Sequence, residues 1–336
     1  MNVLHIAGAA LVGLLLAAFP AQAQEDAEAG GSESSIVEIA PPPSTAWRDE
    51  IGTLRVGVAA GDDARGTVRR MELFRESLTN KLDLPVEIVP FGDFLTLSDA
   101  QASGRVEYAI HSSLSFAMTQ AACNCVEPLA VPTFSGGAKS IRMIVVARSD
   151  NADALLSGDG VEARFGVIGE AASNLHLELA DALLKSSGVQ GVAVTGSQMQ
   201  EFEDFAAASA ALASNQVDGL FGWSTLTGPL SEGYSHGTLR QLLETGLLDE
   251  TDIELAWQSP EIMLGPHAVR RNLPSELKGL LQSHLLGLEG TEPAAYDGVS
   301  PDLAGGFRPV QASNYNVLKG LITSTQPSEL PTLLRE

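Results

Sequence analysis

Positive charge is scarce in this chain: 20 lysines and arginines stand against 42 acids in 336 residues, a formal charge of −22. The bases form no cluster that would reverse the sign locally. Such a surface repels phosphate backbones and anionic lipid headgroups, which excludes nucleic acid and membrane surfaces as partners. Cysteine is scarcer still, limited to Cys123 and Cys125 with Asn124 between them. With no histidine pair nearby these thiols make a poor zinc site, and no metal is expected. They read either as two small residues in a surface loop or as a local disulfide in a tight ring.

The signatures of catalysis are missing too. There is no Gly-x-Ser-x-Gly elbow, no His-Glu-x-x-His and no Walker-type phosphate loop, and the six histidines are scattered. His111, Ser112 and Ser113 adjoin in sequence, whereas a catalytic base reaches its hydroxyl from across a fold. No enzyme activity, catalytic residue or cofactor is expected.

Long apolar runs are confined to the start. Val3 to Phe19 is such a run, and Ala21-Gln22-Ala23 places small residues where a signal peptidase reads them, predicting a signal peptide over 1–23 and an exported, periplasmic chain beginning at Gln24. A single membrane anchor is the other reading, since this region carries no lysine or arginine. No cysteine follows the run, so no lipoprotein anchor is indicated, and no later stretch is apolar for long enough to span a bilayer. Residues 24–52 form an acidic leader with Gly30-Gly31 and Pro41-Pro42-Pro43, too polar to pack.

The remainder has the means to fold: 44% hydrophobic and 18% charged residues allow a large core and two domains. Its most informative feature is a stretch that occurs twice without a gap. Ala102-Ser103-Gly104-Arg105-Val106-Glu107-Tyr108-Ala109-Ile110-His111-Ser112-Ser113 returns as Ala213-Ser214-Asn215-Gln216-Val217-Asp218-Gly219-Leu220-Phe221-Gly222-Trp223-Ser224. Each copy reads as a helix end, a tight turn, a short buried strand, and small residues at the strand's carboxyl end. In an open α/β sheet that end is where ligands sit.

Around the first copy, Leu54–Ala60, Val86–Pro90 and Val106–Ile110 read as strands, alternating with helices over 67–81 and Phe94–Ala102. Ile141–Ala147 is a strand without a polar face apart from Arg142. The pattern then restarts: strand Arg164–Ile168, helix Leu175–Ser186, strand Val192–Thr195, helix Phe202–Ala213, and the second copy. Ile253–Trp257 reads as a return strand, with helices over 275–288 and 310–322. The expectation is an α/β molecule of two lobes, each a mainly parallel sheet flanked by helices. Lobe 1 covers 53–148, lobe 2 covers 149–255, and 256–336 returns to lobe 1, with crossings near 147–152 and 254–260.

The order of these features resembles the phosphate, phosphite and phosphonate binding proteins of ATP-driven (ABC) importers, periplasmic receptors with the type II two-lobed fold. The carriers are Leu54-Arg55-Val56-Gly57-Val58, Gly104–Ala109, Ser140–Val146, Phe165-Gly166 with Ala172-Ser173-Asn174, Val217-Asp218-Gly219 and Trp257-Gln258-Ser259-Pro260, together covering about residues 53–290. The resemblance implies a small anion held by hydroxyls and helix-start N–H groups from both lobes, with Ser113, Ser115, Ser140, Ser173 and Asn174 as donors. It also implies a membrane permease as partner.

This chain departs from that pattern. Ser112-Ser113 stands where the family has a Gly-Pro pair, Ala171-Ala172-Ser173-Asn174 where it has a Ser-Thr-Ser-Gly run, and Trp223 where it has an aspartate. His111, Ser112 and Ser224 end the repeated strands and are candidates by position; Trp223 offers stacking to a larger, flatter ligand, and Asp62 offers a carboxylate to an amine. The alternative role is a ligand-sensing or partner-binding protein on the same fold that has lost transport.

Overall fold

The computed structural model describes residues 46–155, 163–168, 174–186, 199–232, 234–300 and 302–324. In chain order the first half comprises α1 (Ala46–Ile51), β1 (Leu54–Ala59), α2 (Ala64–Arg70), α3 (Glu72–Leu82), β2 (Val86–Phe91), α4 (Phe94–Ala102), β3 (Tyr108–Ile110), α5 (Ser113–Cys123) and β4 (Val126–Pro132). Next come β5 (Ser140–Arg148), α6 (Ala152–Leu155), β6 (Phe165–Ile168), α7 (Asn174–Ser186), β7 (Met199–Phe202), α8 (Phe205–Ala213), β8 (Gly219–Ser224), α9 (Thr238–Glu244), β9 (Ile253–Gln258) and β10 (Ile262–Met263). The chain closes with β11 (His267–Arg270), α10 (Ser275–Thr291), α11 (Pro293–Asp297), β12 (Phe307–Pro309) and α12 (Asn316–Ser324).

Two sheets divide these strands. The first runs β12-β4-β11-β3-β1-β2, and the second runs β5-β8-β6-β7 with β9 and β10 sharing the outer edge of β5. β1 lies parallel between β2 and β3, as β6 lies parallel between β7 and β8. Each parallel trio is extended by one antiparallel strand, β11 beside β3 and β5 beside β8. This is the two-lobed α/β architecture expected from the alternating pattern.

Strand pairing corrects the crossings. β5 belongs wholly to the second sheet, pairing with β8 from Arg142↔Ser224 to Ala147↔Gly219. The chain therefore crosses at 133–139, ahead of the expected 147–152, and returns at 264–266, after β10 and before β11, beyond the expected 254–260. Gly136 and Gly137 both lie in the left-handed region, at φ +91° and +83°, and turn the chain between sheets. A second correction concerns Met199–Phe202, which pairs with β6 as a strand, so the helix expected from Phe202 starts at Phe205. A third concerns the end of the leader expected over 24–52, where α1 buries Trp47 in the core of the first sheet and Arg48 donates to the Leu82 carbonyl. The strand expected over 192–195 lies outside the described residues.

The sequence repeat is a repeat of atoms. α4 and α8 are capped by Asp93 and Asp204, whose side chains each accept the N–H three residues on at 2.7 Å. Both helices end at an alanine, and the turns then use Gly104 at φ +81° and Asn215 at φ +58°. After each turn one amide bonds a helix carbonyl at the same distance: Arg105 N to Ala100 O and Gln216 N to Ala211 O, both 2.8 Å. An arginine at the head of the neighbouring strand clamps each corner. Arg55 donates its backbone N–H and its guanidinium to Glu107 and also reaches the Gly104 carbonyl; Arg164 does the same to Asp218 and the Asn215 carbonyl. Such side-chain and backbone bonding to one carboxylate fixes the corner's orientation.

The cores follow from the patterning. On α10, Leu277, Leu281, Leu285 and Leu288 recur at helical spacing and are fully buried against the first sheet with Phe74, Leu78 and Tyr296. Each such leucine contributes roughly 2 kcal/mol of apolar burial. Cys123 and Cys125 are joined in a disulfide across Asn124, itself at φ +48°, which resolves the two readings of this pair.

Candidate ligand-binding site

The first lobe's corner is the start of α5. Ser112, extended at φ −74° and ψ 165°, caps the helix by accepting the Ser115 N–H at 3.1 Å. Among the described residues the amides of Ser113 and Leu114 have no acceptor, and they point out of the helix start where its dipole favours an anion. Ser113 is half-buried and donates its hydroxyl to the Met263 carbonyl, tying the corner to the returning segment.

Beneath the corner runs a buried polar chain. Gln101 donates Nε2–H to the Ala268 carbonyl at 2.9 Å, which turns its Oε1 towards His111 Nε2 at 2.7 Å. A carbonyl only accepts, so His111 carries its proton on Nε2 and receives the Ser115 hydroxyl on Nδ1 at 3.0 Å. Burial pushes the His111 pKa down to about 3, and the ring stays neutral.

In the second lobe, β8 ends against the loop that leads to α9. Thr238 Oγ1 accepts the Trp223 N–H at 3.1 Å from a position only 2.0 Å from where a Cβ on Gly222 would stand, so the close packing requires glycine there. The Trp223 ring stacks on Phe134 from the crossing segment, with centroids 5.6 Å apart and planes at 23°. Phe134 also meets His236 at 4.9 Å, and the Ser135 hydroxyl lies 3.0 Å from His236 Nε2. Burial and the nearby Arg240 charge push the His236 pKa below its usual value. Beside these rings a cleft of about 790 Å³ opens at the carboxyl edge of the second sheet, with Trp223, His236, Arg240 and Glu232 in its wall. Arg240 is held by Glu244 Oε1 at 2.8 Å and by the Tyr234 carbonyl at 3.1 Å.

The expected site residues separate into groups. Ser112 and Ser113 sit together at the α5 corner, and Trp223 lies at the cleft. His111, Ser115 and Ser224 are corrected to interior residues. All three are buried; His111 and Ser115 satisfy each other, and Ser224 donates to the His236 carbonyl and accepts from Leu226 N. Ser140 opens β5, but its hydroxyl donates to Glu261, a carboxylate that would repel an anion placed beside it. Asp62 is exposed in the turn after β1, next to Asp63, the cap of α2. Ser173 lies outside the described residues; Asn174 begins α7, and its side chain is not described. Sequence reasoning missed Gln101, Phe134, His236 and Arg240. The signal for Phe134 was present as a lone aromatic before Ser135-Gly136-Gly137, between two β-rich runs.

Two sheets built on one plan, two crossings between them and a cleft at the strands' carboxyl edge define a two-lobed solute-binding protein. The family model for the phosphonate ABC transporter periplasmic substrate-binding protein matches residues 56–315, and the chain belongs to that family. Among solved structures it is similar to XAC2383 from Xanthomonas citri, determined bound to ATP, at 13% identity and a TM-score of 0.51 over 84% of this chain and 98% of that one. It is also similar to PhnD1 from Prochlorococcus marinus, determined with methylphosphonate, at 16% identity and a TM-score of 0.47 over 80% and 97%. A third is a phosphonate transporter binding component, PA3383, from Pseudomonas aeruginosa, at 15% identity and a TM-score of 0.43 over 83% and 92%. At these identities XAC2383 shows the shared fold. The family is one of periplasmic substrate-binding proteins of ABC transporters. No helix among the described residues is long and apolar enough to cross a membrane, and they hold no cluster of metal-ligating side chains.

Proposed function

We propose that this protein is exported by its amino-terminal segment, captures a small oxyanion of the phosphonate class between its lobes and presents it to an ABC permease. The observation that carries the reading is the start of α5, where the amides of Ser113 and Leu114 have no acceptor among the described residues. Unpaired N–H donors at the positive end of a helix dipole hold an oxyanion without a paired cation. From the second lobe the family resemblance supplies Ser173 and Asn174 as donors. Closure about 133–139 and 264–266 then buries the anion and creates the surface a permease reads.

The test is a thermal-shift panel of phosphate, phosphite, methylphosphonate, sulfate and amino acids. A bound ligand at a hundred times its dissociation constant adds about 2.7 kcal/mol to stability. Stabilisation by one phosphoryl compound, lost in Ser113→Ala, supports the reading; a panel in which no oxyanion stabilises the protein overturns it. A ligand-sensing role without transport is the second reading; the Ser140 hydroxyl bound to Glu261 removes one donor of the family pattern. A permease whose ATPase activity rises with the loaded protein decides for transport, and one that ignores it decides for sensing.

A further inference from the structure

The cleft beside Trp223 is far larger than an oxyanion. Methylphosphonate has five heavy atoms and fills on the order of 100 Å³, judged by the volume of water in the liquid. The cleft holds about 790 Å³, in the range of sites for larger organic ligands. Even if closure halves it, room remains for a substituent several times the size of a methyl group.

Its wall says what that substituent is. The Trp223 indole lines the cleft and is held by Phe134, which covers one of its faces at 5.6 Å and 23°. A flat ring held in place before binding stacks on another flat ring with little further loss of side-chain freedom. Arg240 lines the same cleft, whose wall also holds Glu232. Its guanidinium is anchored by Glu244 and the Tyr234 carbonyl, and among the described residues its Nη2 has no partner, so an acid would have to meet that edge and not the Glu232 side. A planar guanidinium with a free edge matches an acidic group.

We propose that the ligand of this cleft is an aryl or heteroaryl acid, its ring stacked on Trp223 and its acidic group within reach of Arg240. This rests on reading the chain as a solute-binding protein, and it adds a second place for ligand contact, since the wall of this cleft contains no residue of α5.

Isothermal titration with two matched pairs of probes tests it: methylphosphonate against phenylphosphonate, and acetate against benzoate. The expected result is that phenylphosphonate binds at least tenfold more tightly than methylphosphonate, a difference of about 1.4 kcal/mol. Trp223→Leu erases this preference and Trp223→Phe, which keeps a ring, retains most of it, which separates stacking from a folding defect. Arg240→Gln weakens phenylphosphonate at least tenfold. Equal affinities within each pair, or a ring preference that survives Trp223→Leu, overturn the proposal, and an unchanged affinity in Arg240→Gln overturns its acid half. If benzoate shows the ring preference and neither phosphonate binds, this inference stands and the oxyanion reading fails. If methylphosphonate binds as well as phenylphosphonate, the reverse holds. If none of the four binds, both fall.

Discussion

Lowering the pH from 7.5 to 5 is expected to destabilise this protein through two buried histidines, before most carboxylates titrate. His111 and His267 are both buried, and burial pushes each pKa down to about 3, with the charge of His111 opposing protonation of His267 as well. In the unfolded chain each returns to about 6.5. Below that value the unfolded state binds protons that the native state refuses, so stability is complete above pH 6.5 and declines as pH falls towards 3. At pH 5 the difference in proton binding costs about 2 kcal/mol per histidine, or about 4 kcal/mol for the two. Burial also lowers the pKa values of His236 and His284, and they act in the same direction. Most aspartates and glutamates stay ionised above pH 5, so the window from pH 7.5 to pH 5 isolates the imidazoles.

The assay is urea unfolding followed by far-UV circular dichroism at intervals through that window. His111→Asn removes one of the two large titrations, so the loss of stability between the two pH values falls by about half, whatever the substitution does to stability at pH 7.5. A wild-type protein that loses under about 1 kcal/mol across the window refutes the reasoning. In that event the native state accommodates both imidazolium charges, and the neutral tautomer assigned to His111 is wrong.

Three further substitutions have signs that follow from geometry. Gln101→Leu copies the second lobe's residue into the first and strands the His111 Nε2–H, at a cost of about 1 to 3 kcal/mol in urea unfolding; a neutral result removes the polar chain from the account of the α5 corner. Phe134→Ala deletes the ring between Trp223 and His236 and weakens the packing of the crossing segment on the second lobe by about 1 to 3 kcal/mol, which loosens the hinge. The ligand-free protein then has a larger radius of gyration in small-angle scattering, and an unchanged radius shows the lobes are held by other means. Replacing Cys123 and Cys125 by serine opens a loop of only three residues, for which chain entropy predicts a loss of about 1.6 kcal/mol. A loss beyond about 3 kcal/mol assigns the bond a role that loop closure does not explain.

Much of the fold was legible because its signals are local. The two copies of the repeated stretch turn at Gly104 and Asn215, the residue types that tolerate a left-handed backbone, and each strand that follows is buried between helices. The crossings were misplaced because an apolar strand such as β5 reads alike whichever sheet receives it; its partners, β8, β9 and β10, come from more than seventy residues away. Gly136-Gly137 marked the crossing, but a glycine pair also reads as an ordinary loop.

The site was less legible because a hydroxyl's identity does not say which way it points. Ser112, Ser113 and Ser115 are alike in sequence, yet one turn of helix sends Ser115 inward to His111 and leaves Ser112 at the cap. The repeat did contain the means to separate them. Set in register, Gln101 and His111 fall opposite Leu212 and Gly222, so one copy holds two polar residues at places where the other holds an apolar residue and none at all. Leu212 is fully buried, so its partner Gln101 had to be buried too, and a buried amide needs a polar neighbour. The nearest candidate across the corner is His111, which is therefore committed to the interior and unavailable to a ligand. Gly222 in turn leaves space that Thr238 fills, drawing α9 and the loop before it against the strand end and placing His236 and Arg240 beside Trp223. At these two matched positions the lobes serve different ends: the first has a polar support under a helix start, and the second has a wall for its cleft.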